Sequence, residues 1–107
     1  MKINTQIQGF TPEERLMPIV ERKLSKLEQF DARIQVLNVV LRKEASTSLK
    51  NKVVELNASI PGNKLYTQQS GSTFEAALEK AVSTFRQQIL RFKGRNSKIR
   101  RKGSAAY

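Results

Sequence analysis

Polar and apolar positions alternate from the first residues of the chain. In KINTQI, residues 2–7, Ile3 and Ile7 fall on the same side as Thr5, and this period of two predicts a short half-buried strand that Gly9 ends. Thr11-Pro12-Glu13-Glu14 then reads as a helix start. Thr11 serves as N-cap, Pro12 takes the first helical position, where its missing N–H costs nothing, and the acids face the positive end of the helix dipole. The pattern predicts a helix over about residues 12–29. At 100° per residue, Leu16, Val20, Lys23, Leu24 and Leu27 form its buried stripe, and Pro18, placed in the second turn, is expected to bend it.

Residues 33–43, RIQVLNVVLRK, form a β-branched run in which Leu37, Val39 and Leu41 share one face while Val36, Asn38, Val40 and Arg42 share the other. A long strand is predicted there. The Ser/Thr-rich stretch over residues 44–50 reads as a loop. Beyond it Val54, Leu56, Ala58 and Ile60 alternate with Val53, Glu55, Asn57 and Ser59, giving another strand. Pro61-Gly62-Asn63 is a turn signal, and the run KLYTQQ after it completes three consecutive antiparallel strands.

Ser70-Gly71-Ser72-Thr73 supplies a loop and a cap for a second helix over about residues 73–93. Its apolar stripe is Phe74, Leu78, Ala81, Val82, Phe85, Ile89 and Phe92. Lys80, Gln87 and Arg91 lie on one flank of that stripe, and Glu75, Glu79, Arg86 and Lys93 on the other. Gly94 is expected to end the helix. The order β-α-β-β-β-α predicts an α+β fold in two layers, with both helices packed on one face of a four-stranded sheet. Its α-β-β-β-α portion is similar to double-stranded RNA-binding domains. Residues 1–93 would form a single domain and residues 94–107 a flexible basic tail.

Composition changes this picture chiefly through charge. Twenty Lys and Arg stand against nine Asp and Glu, a net charge of +11, which favours a polyanionic partner because each neutralised phosphate releases condensed counterions. The imbalance is directional: residues 1–31 hold five bases and five acids, residues 32–72 six and two, and residues 73–107 nine and two. Charge is also sorted on the first helix, with Arg15, Arg22 and Lys26 on one flank and Glu14, Glu21 and Glu28 on the other. Layer packing could merge the basic flanks of both helices into one channel-like patch.

With no Cys and no His, thiolate and imidazole metal sites, Cys or His nucleophiles and Ser–His–Asp arrangements are excluded. The five glycines are isolated, so there is no Gly-rich phosphate loop. Catalysis by paired carboxylates would need acids such as Asp31 and Glu55 in one cleft, which nothing in the pattern requires. No enzymatic activity, cofactor, metal or small-molecule substrate is therefore expected. No apolar run approaches a membrane span and the N-terminus has no apolar signal core, so a cytoplasmic, membrane-free protein, monomeric in isolation, is anticipated. Phe30, Tyr66 and Tyr107 could stack on bases, but Phe30 and Tyr66 sit where a helix end and a strand would pack and are expected to be structural. Few exposed aromatics favour recognition of RNA backbone and shape.

Several segments resemble one family. Lys26-Leu27-Glu28-Gln29-Phe30 closes the first helix, VVEL followed by PG marks the middle strands, and the run from Phe74-Glu75 through Ala81-Val82 to Phe85-Arg86-Gln87-Gln88-Ile89-Leu90-Arg91-Phe92-Lys93-Gly94-Arg95 forms the second helix. These are similar to the ribosome hibernation promoting factors, also called ribosome-associated inhibitor or sigma-54 modulation proteins, over about residues 1–95. The resemblance implies binding to 16S rRNA of the small ribosomal subunit, in the channel for mRNA and the decoding-site tRNAs, with translation inhibited in stress or stationary phase. Carried across, rRNA contacts fall on Lys26, Gln88, Arg91, Lys93 and Arg95, with Arg22 and Lys23 beside the first motif. The helical flanks add Lys80, Arg86 and Gln87. Gln87 stands where the family usually has arginine, and Arg86 beside it points to a different flank. The chain looks like a short-form member that would not join two ribosomes by itself. A general double-stranded RNA module and a protein-binding regulatory adaptor remain as alternatives.

Overall fold

The computed structural model describes the backbone of residues 1–31, 33–45 and 47–103, and the side chains of those residues as far as Phe92. The elements run β1 (Lys2–Gln8), α1 (Leu16–Ser25), a 3-10 helix (Lys26–Gln29), β2 (Val36–Lys43), β3 (Lys52–Ile60), β4 (Asn63–Gly71) and α2 (Phe74–Gly103). This is the anticipated β-α-β-β-β-α order. The four strands form one sheet in the order β1-β2-β3-β4.

Strands β2, β3 and β4 pair antiparallel, whereas β1 lies parallel to β2. A parallel neighbour requires a long crossover, and α1 with its flanking segments supplies it. The β3–β4 hairpin closes on Pro61-Gly62, where Gly62 adopts φ 84°, a conformation that a side chain would strain.

Alternation decides which side chains meet the helices. Register aligns Ile3 with Leu37, Leu37 with Ala58 and Ala58 with Leu65, and a second inward row runs Thr5, Val39, Leu56, Thr67. Onto this surface α1 and the 3-10 helix deliver Val20, Leu24 and Leu27, and α2 delivers Ala77, Leu78, Ala81, Phe85 and Ile89, all buried in one cluster. Both helices therefore cover one sheet face, as the apolar stripes predict. The opposite face is open.

Three local expectations are corrected. Thr11 does not cap the first helix: the helix begins at Leu16, its N-cap is Arg15 without a side-chain hydrogen bond, and Leu16 N–H donates to the Glu13 carbonyl at 3.0 Å in a preceding turn. Residues 11–13 have no regular structure, and Phe10 just before them stacks on Phe74 with ring centroids 4.4 Å apart. This later start places Pro18 third in the helix, among the first four positions whose N–H groups have no intrahelical acceptor, so its missing donor costs little. Second, the strand expected from residue 33 begins at Val36, because Arg33 turns back to Asp31: its N–H and Nε both donate to Oδ1 at 2.9 Å and its Nη2 to Oδ2 at 2.8 Å. Third, Gly94 does not end α2, which continues to Gly103. One glycine inside a helix costs about 1 kcal/mol, less than the surrounding helix formers can offset. The boundary expected at residue 93 thus falls inside a continuous helix, and residues 104–107, with Tyr107, lie outside the described residues.

Candidate nucleic-acid interface

Helix α2 is anchored at its start by Thr73, whose Oγ1 accepts from Ala76 N–H at 3.0 Å. From there its buried stripe presses on β3 and β4, and the two flanks emerge on opposite sides. One flank faces α1. There Lys23, Lys26, Leu27, Gln29 and Phe30 meet Glu79, Val82, Ser83 and Arg86 around a cleft of about 380 Å³. The other flank faces β4.

In the interhelical cleft Lys23 is half-buried and its ammonium pairs with the Glu79 carboxylate, which this hydrogen bond holds below the usual carboxylate range. The pair is exposed enough that it contributes little to stability. Its consequence is electrostatic, since Glu79 neutralises one of the three cations lining the cleft. Arg86 lies with its guanidinium 5.7 Å from the centroid of the Phe30 ring, and Phe30 itself packs on the core as expected. Arg22 is exposed on α1, outside the cleft lining, and Lys26 is exposed at the start of the 3-10 helix. Of the acidic flank predicted for the first helix, Glu28 lies in the 3-10 helix and pairs with the N-terminal amine of Met1, outside the cleft lining.

On the β4 side Lys80, Gln87 and Arg91 are exposed. Lys80 Nζ donates to the Ser70 carbonyl at 3.1 Å, which leaves its charge at the surface. Gln88 is committed differently. Its Oε1 accepts from Tyr66 N–H at 3.1 Å and its Nε2 donates to the Tyr66 carbonyl at 2.7 Å, so the amide stands in for the missing fifth strand at the sheet edge.

The structure therefore brings Lys23, Lys26 and Arg86 together and sets Lys80, Gln87 and Arg91 across the helix from them. The single merged patch anticipated from the two basic flanks is instead a ridge with cations on both slopes. The physical reason is that α1 packs on only one side of α2, and helical periodicity carries alternate basic positions to the other. Gln88, expected to meet RNA, is occupied with the sheet edge. The side chains of Lys93 and Arg95 lie outside the described residues.

The two acids considered as a catalytic pair are not brought together. Asp31 is buried in the loop before β2 and receives Arg33, whereas Glu55 lies on the open sheet face and receives the Tyr66 phenol at 2.7 Å and the Arg42 guanidinium. Among the described residues no cluster of three or more acidic, His or Cys side chains could hold a metal ion. None of their helices is long and apolar enough to cross a membrane.

Sequence reasoning misplaced one residue of potential functional weight. Tyr66 was expected to pack, but it is 49% exposed on the uncovered face. The signal was present in β4, where Leu65 and Thr67 take the inward positions and leave Tyr66 outward.

Comparison with known proteins agrees with this architecture. The solved structure of a ribosomal subunit interface protein from Coxiella burnetii superposes with a TM-score of 0.77 at 20% identity, covering 88% of this chain and 99% of that one. The N-terminal domain of Thermus thermophilus Protein Y gives 0.71 at 24% identity, covering 86% and 99%. At these identities the likeness establishes the fold. A ribosome hibernation promotion factor from Deinococcus radiodurans is 28% identical over 91 residues, which are 84% of this chain and 48% of the relative, so the match spans about half the relative's length. The family model described as sigma 54 modulation protein / S30EA ribosomal protein matches residues 3–97, and the chain belongs to that family.

Proposed function

We propose that this protein is a ribosome hibernation factor that occupies the mRNA and tRNA channel of the small ribosomal subunit in the cytoplasm and halts translation in stress or stationary phase. It acts by occupancy, with no bond made or broken. The observation that carries this reading is the cationic ridge: Lys23, Lys26 and Arg86 on one slope and Lys80 and Arg91 on the other, with Arg22 exposed nearby in sequence on α1, carried by a family described as ribosomal. A ridge with cations on both slopes suits a channel walled by RNA better than a single flat surface. Lys and Arg would pair with phosphates on opposing walls while the sheet and helices fill the lumen and exclude mRNA and tRNA.

Reversing one charge on each slope, Lys26→Glu with Arg91→Glu, tests it. Both side chains are exposed, so the variant should fold. Co-sedimentation with small subunits should weaken at least tenfold, since a charge-assisted contact is worth about 1.5–3 kcal/mol. The log–log salt dependence should become shallower by about two, close to one unit per lost phosphate contact. Full affinity in the folded double variant would reject the ridge as the contact surface. Displacement by a short RNA duplex as effectively as by small subunits would favour a general double-stranded RNA module instead.

A further inference from the structure

The open face of the sheet is not used by the ridge, and it is not a featureless solvated surface. Register lines up Asn4 with Asn38, Asn38 with Asn57 and Asn57 with Tyr66, a row that crosses all four strands. At about 4.8 Å between strands the row spans roughly 14 Å. All four side chains are exposed. Three carboxamides, each able to donate and accept, thus lead across the sheet to one aromatic ring.

That ring is held from two sides. Its phenol O–H is within hydrogen-bond reach of Glu55 Oε1 at 2.7 Å and Gln68 Oε1 at 3.1 Å, and Arg42 in turn fixes Glu55. Its backbone N–H and carbonyl are both clamped by Gln88. A tyrosine anchored at its backbone and its hydroxyl loses little further freedom when something stacks on it, which is the condition for cheap binding. The charge of the face also has a sign. Lys2, Arg42 and Lys64 point outward, and Arg42 pairs with the carboxylates of both Glu55 and Glu44, so three cations stand against two acids and the face stays positive through Lys2 and Lys64.

From this geometry we infer that the open sheet face is a second RNA-contacting surface, which takes an unpaired strand with one base stacked on Tyr66 and its polar edge on Asn57 and Asn38. The inference rests on the reading of the protein as an RNA binder and adds a ligand class, single-stranded RNA, to a face opposite the ridge. A flat π-face fits any base, and carboxamides hydrogen-bond base edges that a duplex would hide. A rigid duplex offers the sheet no such base, so the two faces would read different forms of RNA.

The chain provides its own probe, because these 107 residues contain two tyrosines and no tryptophan. With Tyr107→Phe, Tyr66 is the sole emitter near 300 nm. Titration with an unstructured oligouridylate or oligoadenylate should quench that emission saturably, and an RNA duplex should not. In the same titrations, followed by anisotropy of a labelled oligonucleotide, Tyr66→Leu should weaken single-strand affinity about 5- to 150-fold, the range for loss of one stacked base. Tyr66→Phe, which keeps the ring, should stay within about threefold. Unchanged Tyr66 emission in the presence of oligonucleotide, or equal affinity for the Leu variant, overturns the inference. Should Tyr66→Leu fail to fold, the emission of native Tyr66 still decides. Co-sedimentation of the unmodified protein with small subunits is scored separately, so failure of the ribosomal reading and failure of this one give different results.

Discussion

The two faces of the sheet come from the same alternating strands, yet they hold different kinds of side chain by different means. The covered face is a mainly apolar layer in which Leu37, Val39, Leu41 and Leu56, with Phe85 of α2 in the same core, are at most 1% exposed. The open face is a polar layer in which Tyr66, Glu55, Arg42 and Gln68 hold one another by hydrogen bonds. Burial sets the first and mutual satisfaction of polar groups sets the second. The covered face should therefore govern whether the protein folds, and the open face what it can touch.

The largest expected effect lies on the covered face. Phe85→Ala should cost about 3–5 kcal/mol, because it removes a fully buried ring and leaves a cavity in the core beneath α2. Set against a typical stability of 5–15 kcal/mol, that is a large fraction, readable as a fall in the urea midpoint. A loss below about 1 kcal/mol would mean that the ring is not central to the core.

A smaller effect is expected where the two faces meet at the β4 edge. Gln88→Ala frees the Tyr66 N–H and carbonyl to water, so the cost should be about 1 kcal/mol, and exchange of the Tyr66 amide hydrogen should accelerate. This variant also separates two roles for Gln88. A change in RNA affinity with unaltered protection of Tyr66 would return Gln88 to the RNA-contacting set and break its assignment to the edge.

The smallest effect concerns pH on the open face. The Tyr66 phenol, and after it the Arg42 guanidinium, hold the Glu55 carboxyl below its ordinary value against the opposing effect of burial. A carboxyl whose value is depressed in the folded state contributes stability that is complete above its unfolded value and is lost as pH falls through the folded one. Unfolding midpoints of the native chain should therefore decline on acidification, and Glu55→Gln should flatten part of that decline. Identical acid limbs would show that the Glu55 network is electrostatically idle. The same contact raises the Tyr66 phenol above its ordinary value, so its ionisation should appear later than that of a free tyrosine in an absorbance titration.

Most of the fold was legible along the chain because its signals are periodic and local. The inward positions of β2 and β3, the stripe of α2 from Phe74 to Phe92 and the Pro61-Gly62 hairpin can all be read one segment at a time. Helix boundaries were less legible. Thr11-Pro12 carries a strong start signal, yet the stacking of Phe10 on Phe74 accompanies an irregular segment there, and Gly94 carries a stop signal that the helix passes through. The cationic residues were legible as a set but not as an arrangement, since flank assignment along one helix does not say which flank a neighbouring helix will cover.

By itself the sequence determined the element order, the two apolar surfaces that must meet, the excess of positive charge and its drift towards the C-terminal half. These follow from residue type and spacing within single segments. Tertiary structure alone decided that β1 runs parallel beside β2, that α1 packs against one flank of α2 and divides the cations between two slopes, and that Gln88 closes the sheet edge. It also set three asparagines from three strands in line with Tyr66. Each of these depends on register or packing between segments distant in the chain, and neither composition nor periodicity within one segment carries that information.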